Sequence, residues 1–346
     1  MSSPLEQRPF GRTGERVTVI GLGGAALYKH SYEQGVATVK HALDLGVNYF
    51  DTSPAYGRAD EAGRWSEQGM SQLIMGEGLD GTSKPHLLAT KLVNYTTEVR
   101  HAISRAPNGT RPLGWRTLDD CRAQLQDNLR ALRRDRVDVL LGHSIQGARA
   151  WIPETDARDD GQLLDLDAEI DFGNTPLVQT LREAKAQGTC RYIGLSGDES
   201  TIFAHVLNRV ALDMCLSAGE YTLLDRRSPR IVAPVVRAQG IAYVVGGIFR
   251  GAGPAAPGEA SPFQLGRAGA LSQVGSAFAD ARLIQLAKTT GISIAALTVR
   301  FLLADRDVAT ILVGASIPEE IEESVVAAQA GPLPPDIHQT VAALSA

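Results

Sequence analysis

Short apolar runs alternate along the chain with longer stretches in which apolar residues recur at helical spacing. The runs predict eight strands, at 17–23, 47–51, 86–91, 137–143, 191–196, 213–218, 241–247 and 309–314. Helices are predicted over 32–45, 70–79, 118–133, 176–187, 200–209, 228–239, 279–290, 293–304 and 318–328. Apolar strands that alternate with helices indicate a parallel sheet that is covered on both faces.

Turn and capping residues mark several of the boundaries. Gly46 and Gly188 each follow a predicted helix, where a residue that tolerates a left-handed backbone is favoured. Thr117 followed by Asp120 is the pattern of a capping box and predicts a helix that begins at 118. Eight strands with such helices favour a closed (β/α)8 TIM barrel over an open doubly wound sheet.

No linker, low-complexity tract or shift in composition divides the chain, so we expect one barrel domain over residues 1–346. Three connections that follow strands, 57–69, 145–175 and 250–276, are longer than ordinary βα loops. We therefore expect long βα loops at the C-terminal face, where barrels place their active sites. The third connection, rich in Gly and Pro, is interpreted as a mobile lid or as a disordered surface loop, and both interpretations stay open.

Composition and charge narrow the class of function. Lys and Arg number 34 against 39 Asp and Glu, and the formal net charge of −5 indicates neither a nucleic-acid nor an anionic-membrane partner. No apolar run has the length of a membrane span, and the N-terminus lacks the apolar stretch of a signal peptide. Cys121, Cys190 and Cys215 have no CxxC spacing and are expected to be reduced thiols of a cytoplasmic protein.

Three consecutive predicted strands end in an ionisable residue. Asp51 ends the second strand, Lys91 the third and His143 the fourth, and Tyr56 follows shortly after Asp51. A single polar residue at a strand end is usually a rim residue with its own partners. Because neighbouring parallel strands of a barrel end on the same rim, the coincidence predicts that these four side chains converge in one small volume.

Such a set of side chains suits proton transfer to or from a carbonyl or alcohol oxygen. A phenol ionises too weakly near neutral pH, and a neighbouring ammonium favours the phenolate. A carboxylate paired with the ammonium keeps it charged, and a neutral imidazole can hold the substrate oxygen. Carbonyl reduction or its reverse is therefore favoured over acyl transfer, for which no activated nucleophile is evident.

Two other reaction types fit the sequence less well. Metal-dependent hydrolysis needs several His or carboxylate ligands at strand ends, and the seven His residues show no HxH or HExxH pattern, so no metal site is predicted. Glycoside hydrolysis needs two carboxylates at strand ends, whereas Asp51 alone occupies a well-defined one. Glu220, near the sixth strand, is interpreted as part of the turn that leads into the next helix.

Several segments resemble the aldo-keto reductase family. RPFGRTGERVTVIGLGGAAL is similar to that family's opening hairpin and first strand, and GVNYFDTSPAYG to the signature around its Asp and Tyr. LLATKL and DRVDVLLGHS resemble the segments that carry its Lys and His. The likeness continues through RYIGLSG and AGEYTLLDRR to ILVGASIPEEIEESV, so it covers nearly the whole chain.

The resemblance implies a role for each member of the set. Tyr56 would donate or accept the proton, Lys91 would stabilise its phenolate and Asp51 would hold Lys91. His143 would orient the substrate oxygen. The resemblance also implies a nicotinamide cofactor bound across the barrel mouth without a Rossmann motif, since GLGG at 21–24 lacks the GxGxxG spacing. These glycines are expected to let the backbone turn at the rim instead.

The cofactor positions that the resemblance implies follow three later strands. They are Ser196, Gly197, Gly247, Ile248, Phe249, Gly314, Ala315, Ser316, Glu320 and Ser324. Ser196 occupies the family's position for the nicotinamide carboxamide, but Gly197 and Ala218 stand where the family usually has Asn and Gln. With these departures and the segment AGEYTLLDRR, the chain resembles the subgroup of aldose (L-fucose or D-threo-aldose) and L-galactose 1-dehydrogenases. Pyridoxal dehydrogenases are close relatives of that subgroup.

The cofactor is expected to be NAD or NADP, with NAD favoured. Family members that prefer NADP usually place Lys or Arg after the last strand, where the side chain pairs with the 2′-phosphate. Here Ser316 and Ile317 occupy those positions, and Glu320 with three neighbouring glutamates adds negative charge that would repel an anion. The alternative is that these carboxylates face solvent and that an Arg elsewhere meets the phosphate.

The sequence leaves three functions open. The first is an NAD(P)-dependent dehydrogenase that acts on an aldose or a similar small alcohol–aldehyde pair. The second is an NAD(P)H-dependent carbonyl reductase of biosynthesis or detoxification, and the third is a non-catalytic cofactor-binding regulatory protein. The presence of all four candidate catalytic residues argues against a non-catalytic protein.

Three tryptophans lie in or beside the long loops. Trp65, Trp115 and Trp151 would either stack on a sugar ring or pack within the loops.

Overall fold

The computed structural model describes residues 4–57, 70–94, 115, 117–152, 163–249, 277 and 280–344. Within these residues eight parallel strands pair in chain order, and the last pairs with the first, so that the sheet closes into a barrel. The predicted (β/α)8 fold is therefore confirmed.

Two more strands precede the barrel. β1 (Gln7–Pro9) and β2 (Arg16–Thr18) form an antiparallel hairpin. The barrel strands are β3 (Ile20–Gly23), β4 (Tyr49–Asp51), β5 (Leu87–Leu92), β6 (Val137–Gly142), β7 (Cys190–Gly197), β8 (Met214–Ala218), β9 (Ala242–Gly246) and β10 (Val308–Val313). Most barrel-strand residues are buried, because helices cover the outside of the sheet and side chains fill the inside.

The described residues form ten α-helices. They are α1 (Tyr32–Asp44), α2 (Met70–Gly78), α3 (Leu118–Ala131), α4 (Pro176–Ala186), α5 (Ser200–Leu207), α6 (Arg227–Gln239), α7 (Ala281–Thr290), α8 (Ile294–Leu302), α9 (Pro318–Gln329) and α10 (Pro335–Ala342). The predicted helices agree within a few residues, and α10 is an addition that the sequence pattern does not predict. In the part of the chain that the structure describes, no helix combines the length and the apolar character that a membrane span needs.

The predicted boundary signals form the expected contacts. Thr117 Oγ1 accepts a hydrogen bond from Asp120 N at 3.2 Å, and Asp120 Oδ2 accepts one from Thr117 N at 3.1 Å, which completes the capping box of α3. Gly46 and Gly188 have φ values of +85° and +75° directly after α1 and α4. Glycine lets the chain leave each helix without the steric cost of a Cβ atom.

The predicted strand over 17–23 is wrong in one respect, because the segment contains two strands. Thr18 ends β2, and its amide donates to Asn48 Oδ1 at 2.7 Å. Its hydroxyl donates to Ile20 O at 2.8 Å. Thr18 pairs with Gln7 in the hairpin, the chain bends at Val19, and the first barrel strand begins at Ile20.

The opening hairpin closes the N-terminal end of the barrel. Phe10 is fully buried, and its ring lies 5.5 Å from that of Tyr49 inside the barrel. The buried guanidinium of Arg8 donates at 2.7–2.8 Å to three backbone carbonyls, those of Leu303, Asp305 and Val308. The hairpin is therefore tied to the segment between α8 and β10 as well as packed against the core.

The glycines at 21–24 allow close packing where the chain leaves the first barrel strand. Gly21, Gly23 and Gly24 all lack a positive φ. A Cβ atom on Gly24 would lie 2.3 Å from Ser71 Oγ, and one on Gly21 would lie 3.0 Å from Tyr49 O. The chain does turn at this point, since the 3-10 helix Gly24–Ala26 follows β3 directly, and the glycines also let α2 and β4 approach the first barrel strand closely.

Long connections follow several strands on the C-terminal face. Residues 58–69 and 250–276 lie outside the described residues, so the interpretation of 250–276 as a lid stays a prediction. In the 145–175 connection, the described parts include the 3-10 helices Ala148–Ala150 and Phe172–Asn174. The interval between β5 and α3 is a further long connection that is not among the three the sequence predicts.

Candidate active site

The four candidate catalytic residues lie on adjoining parts of one rim. Asp51 is the last residue of β4, Lys91 is the penultimate residue of β5, and His143 directly follows β6. The strand register pairs Asp51 with Ala89 and Lys91 with Leu141, so alternate residues of these strands project into the barrel. This register places the carboxylate, the ammonium and the imidazole at the C-terminal mouth.

Lys91 and Asp51 form a buried ion pair. Lys91 Nζ donates to Asp51 Oδ1 and also to Thr52 O, the latter at 2.9 Å. The exposed fraction is 2% for Asp51 and 1% for Lys91. Burial raises the pKa of Asp51 and lowers the pKa of Lys91, while the attraction between the two groups opposes both shifts. The carboxylate therefore favours the charged form of the ammonium against the cost of burial.

Tyr56 and His143 complete the cluster. The ammonium nitrogen of Lys91 lies 5.1 Å from the centroid of the Tyr56 ring. The rings of Tyr56 and His143 meet edge to face, with centroids 5.8 Å apart and an interplanar angle of 89°. Their exposed fractions are 8% and 7%, larger than those of the ion pair. The structure thus brings together all four side chains that the sequence predicts to converge, with the phenol and imidazole nearer to solvent.

Ser53 connects the backbone of Tyr56 with the imidazole of His143. Its Oγ forms a hydrogen bond with His143 Nδ1 at 3.2 Å and accepts one from Ala55 N at 3.2 Å. Its carbonyl accepts a hydrogen bond from Tyr56 N at 3.1 Å. Ser53 therefore holds both the ring of His143 and the turn that carries Tyr56. The Ser53-Pro54 pair after a strand predicts a turn. The contact with His143 could not be predicted from the sequence, because it depends on closure of the barrel.

Side-chain hydroxyl and amide groups form hydrogen bonds around the ion pair. Ser71 Oγ donates to Gly24 O at 2.8 Å and lies 2.8 Å from Thr52 Oγ1, which is therefore the donor to Ser71. Asn128 Nδ2, on α3, donates to Lys91 O at 2.8 Å. The backbone on both sides of the ion pair is consequently held by side chains of neighbouring helices.

The candidate cofactor residues after β10 form a turn at the start of α9. The carboxylate of Glu320 accepts hydrogen bonds from Ser316 N at 2.7 Å and Ser316 Oγ at 2.9 Å. Ser324 Oγ donates to Glu320 O at 3.0 Å. Gly314 is exposed and Ala315 is buried. A carboxylate of the chain itself thus lies at the N-terminus of this helix, where the helix dipole favours negative charge.

Ser196 and Gly197 are the last two residues of β7. Ser196 Oγ donates to Gly142 O on the neighbouring strand at 3.2 Å, and Ser196 O accepts from Ile145 N at 3.2 Å. These bonds join the end of β7 to the turn that follows His143.

Gly247, Ile248 and Phe249 follow β9. Gly247 is exposed and has a φ of +61°, a left-handed conformation that favours glycine. Ile248 is buried, and Phe249 is half-buried against the hydrophobic core. All of the implied cofactor positions therefore follow or end strands on the face that carries Asp51.

Two of the three tryptophans pack inside the protein. Trp115 and Trp151 are buried, and Trp151 Nε1 donates to Ile145 O at 2.7 Å. The ring of Trp151 also meets that of Phe172, with centroids 4.8 Å apart. These contacts favour loop packing over stacking on a ligand for both residues. Trp65 lies outside the described residues.

Glu220 belongs to the turn before α6, as predicted. Its carbonyl accepts from Ser228 N at 3.0 Å, and its buried carboxylate accepts from Ser200 N at 2.7 Å and lies 3.1 Å from Arg227. It has partners of its own and does not join the cluster around Asp51. Among the described residues, no three His, Cys, Asp or Glu side chains are grouped so as to hold a metal ion.

Comparisons with known proteins agree with the motifs. The model of the aldo/keto reductase family matches residues 19–346. An L-galactose dehydrogenase from Arabidopsis thaliana is 27% identical over 343 residues, which cover 93% of this chain and 88% of the relative. A pyridoxal 4-dehydrogenase from Microbacterium luteolum is 28% identical over 346 residues, which cover 93% of this chain and 92% of the relative.

A solved structure shows the same fold. The holo form of aldo-keto reductase AKR11C1 from Bacillus halodurans matches with a TM-score of 0.69 at 23% identity, over 99% of this chain and 97% of that chain. The family resemblance seen in the sequence motifs is confirmed, and its relatives include dehydrogenases of the subgroup that the motifs indicate. This chain belongs to the aldo/keto reductase family of oxidoreductases.

Proposed function

We propose that this chain is an NAD(P)-dependent dehydrogenase of the aldose 1-dehydrogenase type. The observation that carries the proposal is the buried Lys91–Asp51 ion pair, with the Lys91 ammonium 5.1 Å from the ring centroid of Tyr56. An ammonium beside a phenol stabilises the phenolate, so that the phenol can give up or take back a proton near neutral pH.

Each residue of the cluster has a separate task in this proposal. Tyr56 takes the hydroxyl proton when an alcohol is oxidised and returns it when a carbonyl is reduced. Lys91 stabilises the phenolate by its charge, and Asp51 keeps that charge in a buried site. His143, oriented through Nδ1 by Ser53, holds the substrate oxygen near Tyr56.

A nicotinamide dinucleotide, when bound, accepts or supplies the hydride. The rim offers groups that fit such a ligand. Among the described residues, a Cβ atom on the exposed Gly314 would meet only Ala26 Cβ, at 3.9 Å, so a ligand can approach the backbone there. Gly247 is also exposed and follows the neighbouring strand β9. The positions from Ser196 to Ser324 that the resemblance implies would hold the cofactor along this side of the mouth.

We also propose that NAD is preferred over NADP. The carboxylate of Glu320 already occupies the start of α9, where it accepts two hydrogen bonds from Ser316. A second anion, such as a 2′-phosphate, would be repelled at this position and would find its helix-terminal donor already in use. The names of two relatives, L-galactose dehydrogenase and pyridoxal 4-dehydrogenase, support a polyhydroxylated or aromatic alcohol–aldehyde pair as the substrate class of this chain.

A panel assay tests the proposal. Formation of reduced cofactor is followed with free aldoses, pyridoxal and simple aldehydes, with NAD and NADP in parallel and the reverse reaction measured for each product. The proposal predicts turnover with at least one aldose or related compound and a higher kcat/KM with NAD. Turnover only in the direction of carbonyl reduction would contradict the assignment as a dehydrogenase. A clear preference for NADP would contradict the proposed preference for NAD.

A further inference from the structure

Gln146 lies between the two groups of candidate residues on the rim. It belongs to the turn that follows β6 and comes three residues after His143. Its amide oxygen, Oε1, is buried and has no hydrogen-bond partner among the described residues. Buried polar atoms are nearly always hydrogen-bonded, so an amide oxygen in this position is available to accept a hydrogen bond from a ligand.

The backbone of this turn is firmly held. Ser144 adopts a left-handed conformation with a φ of +56°, which is uncommon for a residue other than glycine. Ile145 O accepts from Trp151 Nε1 at 2.7 Å, and Gln146 O accepts from Leu164 N at 2.8 Å. A constrained backbone that positions a side chain at a mouth is a feature of functional sites.

The amide of Gln146 fills the space beside the end of β7. A Cβ atom on Gly197 would lie 3.5 Å from Gln146 Oε1 and 3.2 Å from Ile145 Cγ1. Gly197 itself offers no side chain, and the hydroxyl of Ser196 already donates to Gly142 O. Within the part of the chain that the structure describes, Gln146 Oε1 is therefore an acceptor without a donor at the point where β6 and β7 end together.

We infer that Gln146 binds the carboxamide of the nicotinamide ring, and this inference rests on the proposed function. An amide oxygen accepts a hydrogen bond from a carboxamide NH2 group, and the nicotinamide ring carries such a group. A nicotinamide that exchanges hydride with a substrate held by Tyr56 and His143 must lie next to them. Gln146 is attached to the turn that begins at His143, which brings its amide to that side of the mouth.

Binding measurements with three ligands test the inference. Isothermal titration calorimetry is carried out on the full chain with NAD, with 3-acetylpyridine adenine dinucleotide, in which a methyl group replaces the carboxamide NH2, and with ADP-ribose, which lacks the ring. The variants are Gln146→Leu, which keeps the bulk of the side chain, and Gln146→Ala. Gln187→Leu, at an exposed position, is the matched control.

The inference predicts a loss that depends on the NH2 group. Gln146→Leu should weaken NAD binding about five- to fiftyfold, as expected for a lost buried hydrogen bond. It should change the binding of the acetylpyridine analogue less than about twofold and leave ADP-ribose binding unchanged, with Gln146→Ala behaving in the same way.

Two results would overturn the inference while leaving the proposed function intact. Either both variants bind NAD as tightly as the wild type, or all three ligands are weakened equally because the turn is disturbed. An unchanged affinity for NAD with a raised KM for the sugar would assign Gln146 to the substrate and also contradict the inference. If the wild-type chain binds neither NAD nor ADP-ribose, the proposed function itself fails.

Discussion

Ser53 Oγ lies 3.2 Å from His143 Nδ1, and the carbonyl of the same serine accepts a hydrogen bond from Tyr56 N. One residue thus contacts both the imidazole and the backbone turn that carries the phenol. In the proposed reaction both groups act on the same substrate oxygen, so a shared support keeps their relative geometry constant.

Replacing Ser53 should therefore reduce activity without unfolding the protein. Ser53→Ala removes the bond to His143 but keeps the backbone bond to Tyr56, and we expect kcat/KM to fall about three- to thirtyfold. Ser53→Thr keeps a hydroxyl and should retain more of the activity. Steady-state kinetics with a urea unfolding curve for each variant provide the measurement. Wild-type kinetics in Ser53→Ala would show that the orientation of His143 does not depend on this bond.

The ion pair predicts an asymmetry between single and double variants. Lys91→Met leaves the carboxylate of Asp51 buried and unpaired, which should lower the free energy of unfolding by about 3–5 kcal/mol. Asp51→Asn combined with Lys91→Met removes both charges and should recover most of that loss. Both proteins should lack activity. Urea unfolding at neutral pH makes the comparison, and equal stability of the single and double variants would contradict a desolvated charge as the cause.

The same pair predicts how this loss depends on pH. Burial raises the pKa of Asp51 even beside Lys91, and removal of the ammonium takes away the attraction that opposes the rise. An acid whose pKa is raised on folding contributes stability below its unfolded pKa and loses it as the pH rises through the folded value. The deficit of Lys91→Met relative to the wild type should therefore shrink as the pH is lowered from neutral towards 4, near the unfolded pKa of an Asp of about 3.9. A stability deficit that does not change with pH would indicate that Lys91→Met acts only by removing packing contacts of the Lys91 side chain.

The three cysteines should be inert in the folded protein. Cys121, Cys190 and Cys215 are free and buried, and burial raises the pKa of the first two to about 12. Because the thiolate is the reactive form, Ellman's reagent should detect no thiol in native protein at neutral pH and three in guanidinium chloride. Rapid labelling of a native thiol would show that one of these sites opens on the time scale of the reaction.

Glu320 should influence the choice between the two cofactors. Glu320→Gln keeps a hydrogen-bond acceptor for Ser316 but removes the negative charge at the start of α9. We expect the ratio of kcat/KM for NAD to that for NADP to fall about two- to fivefold, since an exposed charge has a modest effect. Glu319→Gln, on the same turn, is the control, and added salt should reduce the difference. Equal ratios of kcat/KM for NAD to NADP in the wild type and both variants would argue against repulsion between Glu320 and the 2′-phosphate.

Arg8 should contribute strongly to stability although it lies far from the site. Arg8→Ala leaves the carbonyls of Leu303, Asp305 and Val308 without their donor, and we expect a loss of about 2–4 kcal/mol in the free energy of unfolding. Arg306→Ala removes an exposed arginine that contacts Glu6 and should change stability by less than about 1 kcal/mol. Chemical unfolding of both variants decides whether the hairpin is held by Arg8 or by its apolar contacts.

The sequence predicts Asp51, Lys91 and His143 as neighbours because each ends a strand of the same parallel sheet. Their convergence follows from barrel geometry without knowledge of any side-chain contact. Ser53 and Gln146 could not be predicted in this way, because their importance depends on contacts across strands that only the closed barrel brings together. The segment over 17–23 contains two strands for a similar reason, since the bonds between Thr18 and Asn48 join residues from different elements.

Tyr56 is the group that transfers the proton in the proposed reaction. Tyr56→Phe keeps the ring that lies against Lys91 and His143 but removes the hydroxyl. The direct measurement combines turnover with the best substrate and NAD binding by calorimetry. We predict that kcat falls at least about a hundredfold while the Kd for NAD changes less than about threefold. Undiminished turnover in Tyr56→Phe would contradict the account.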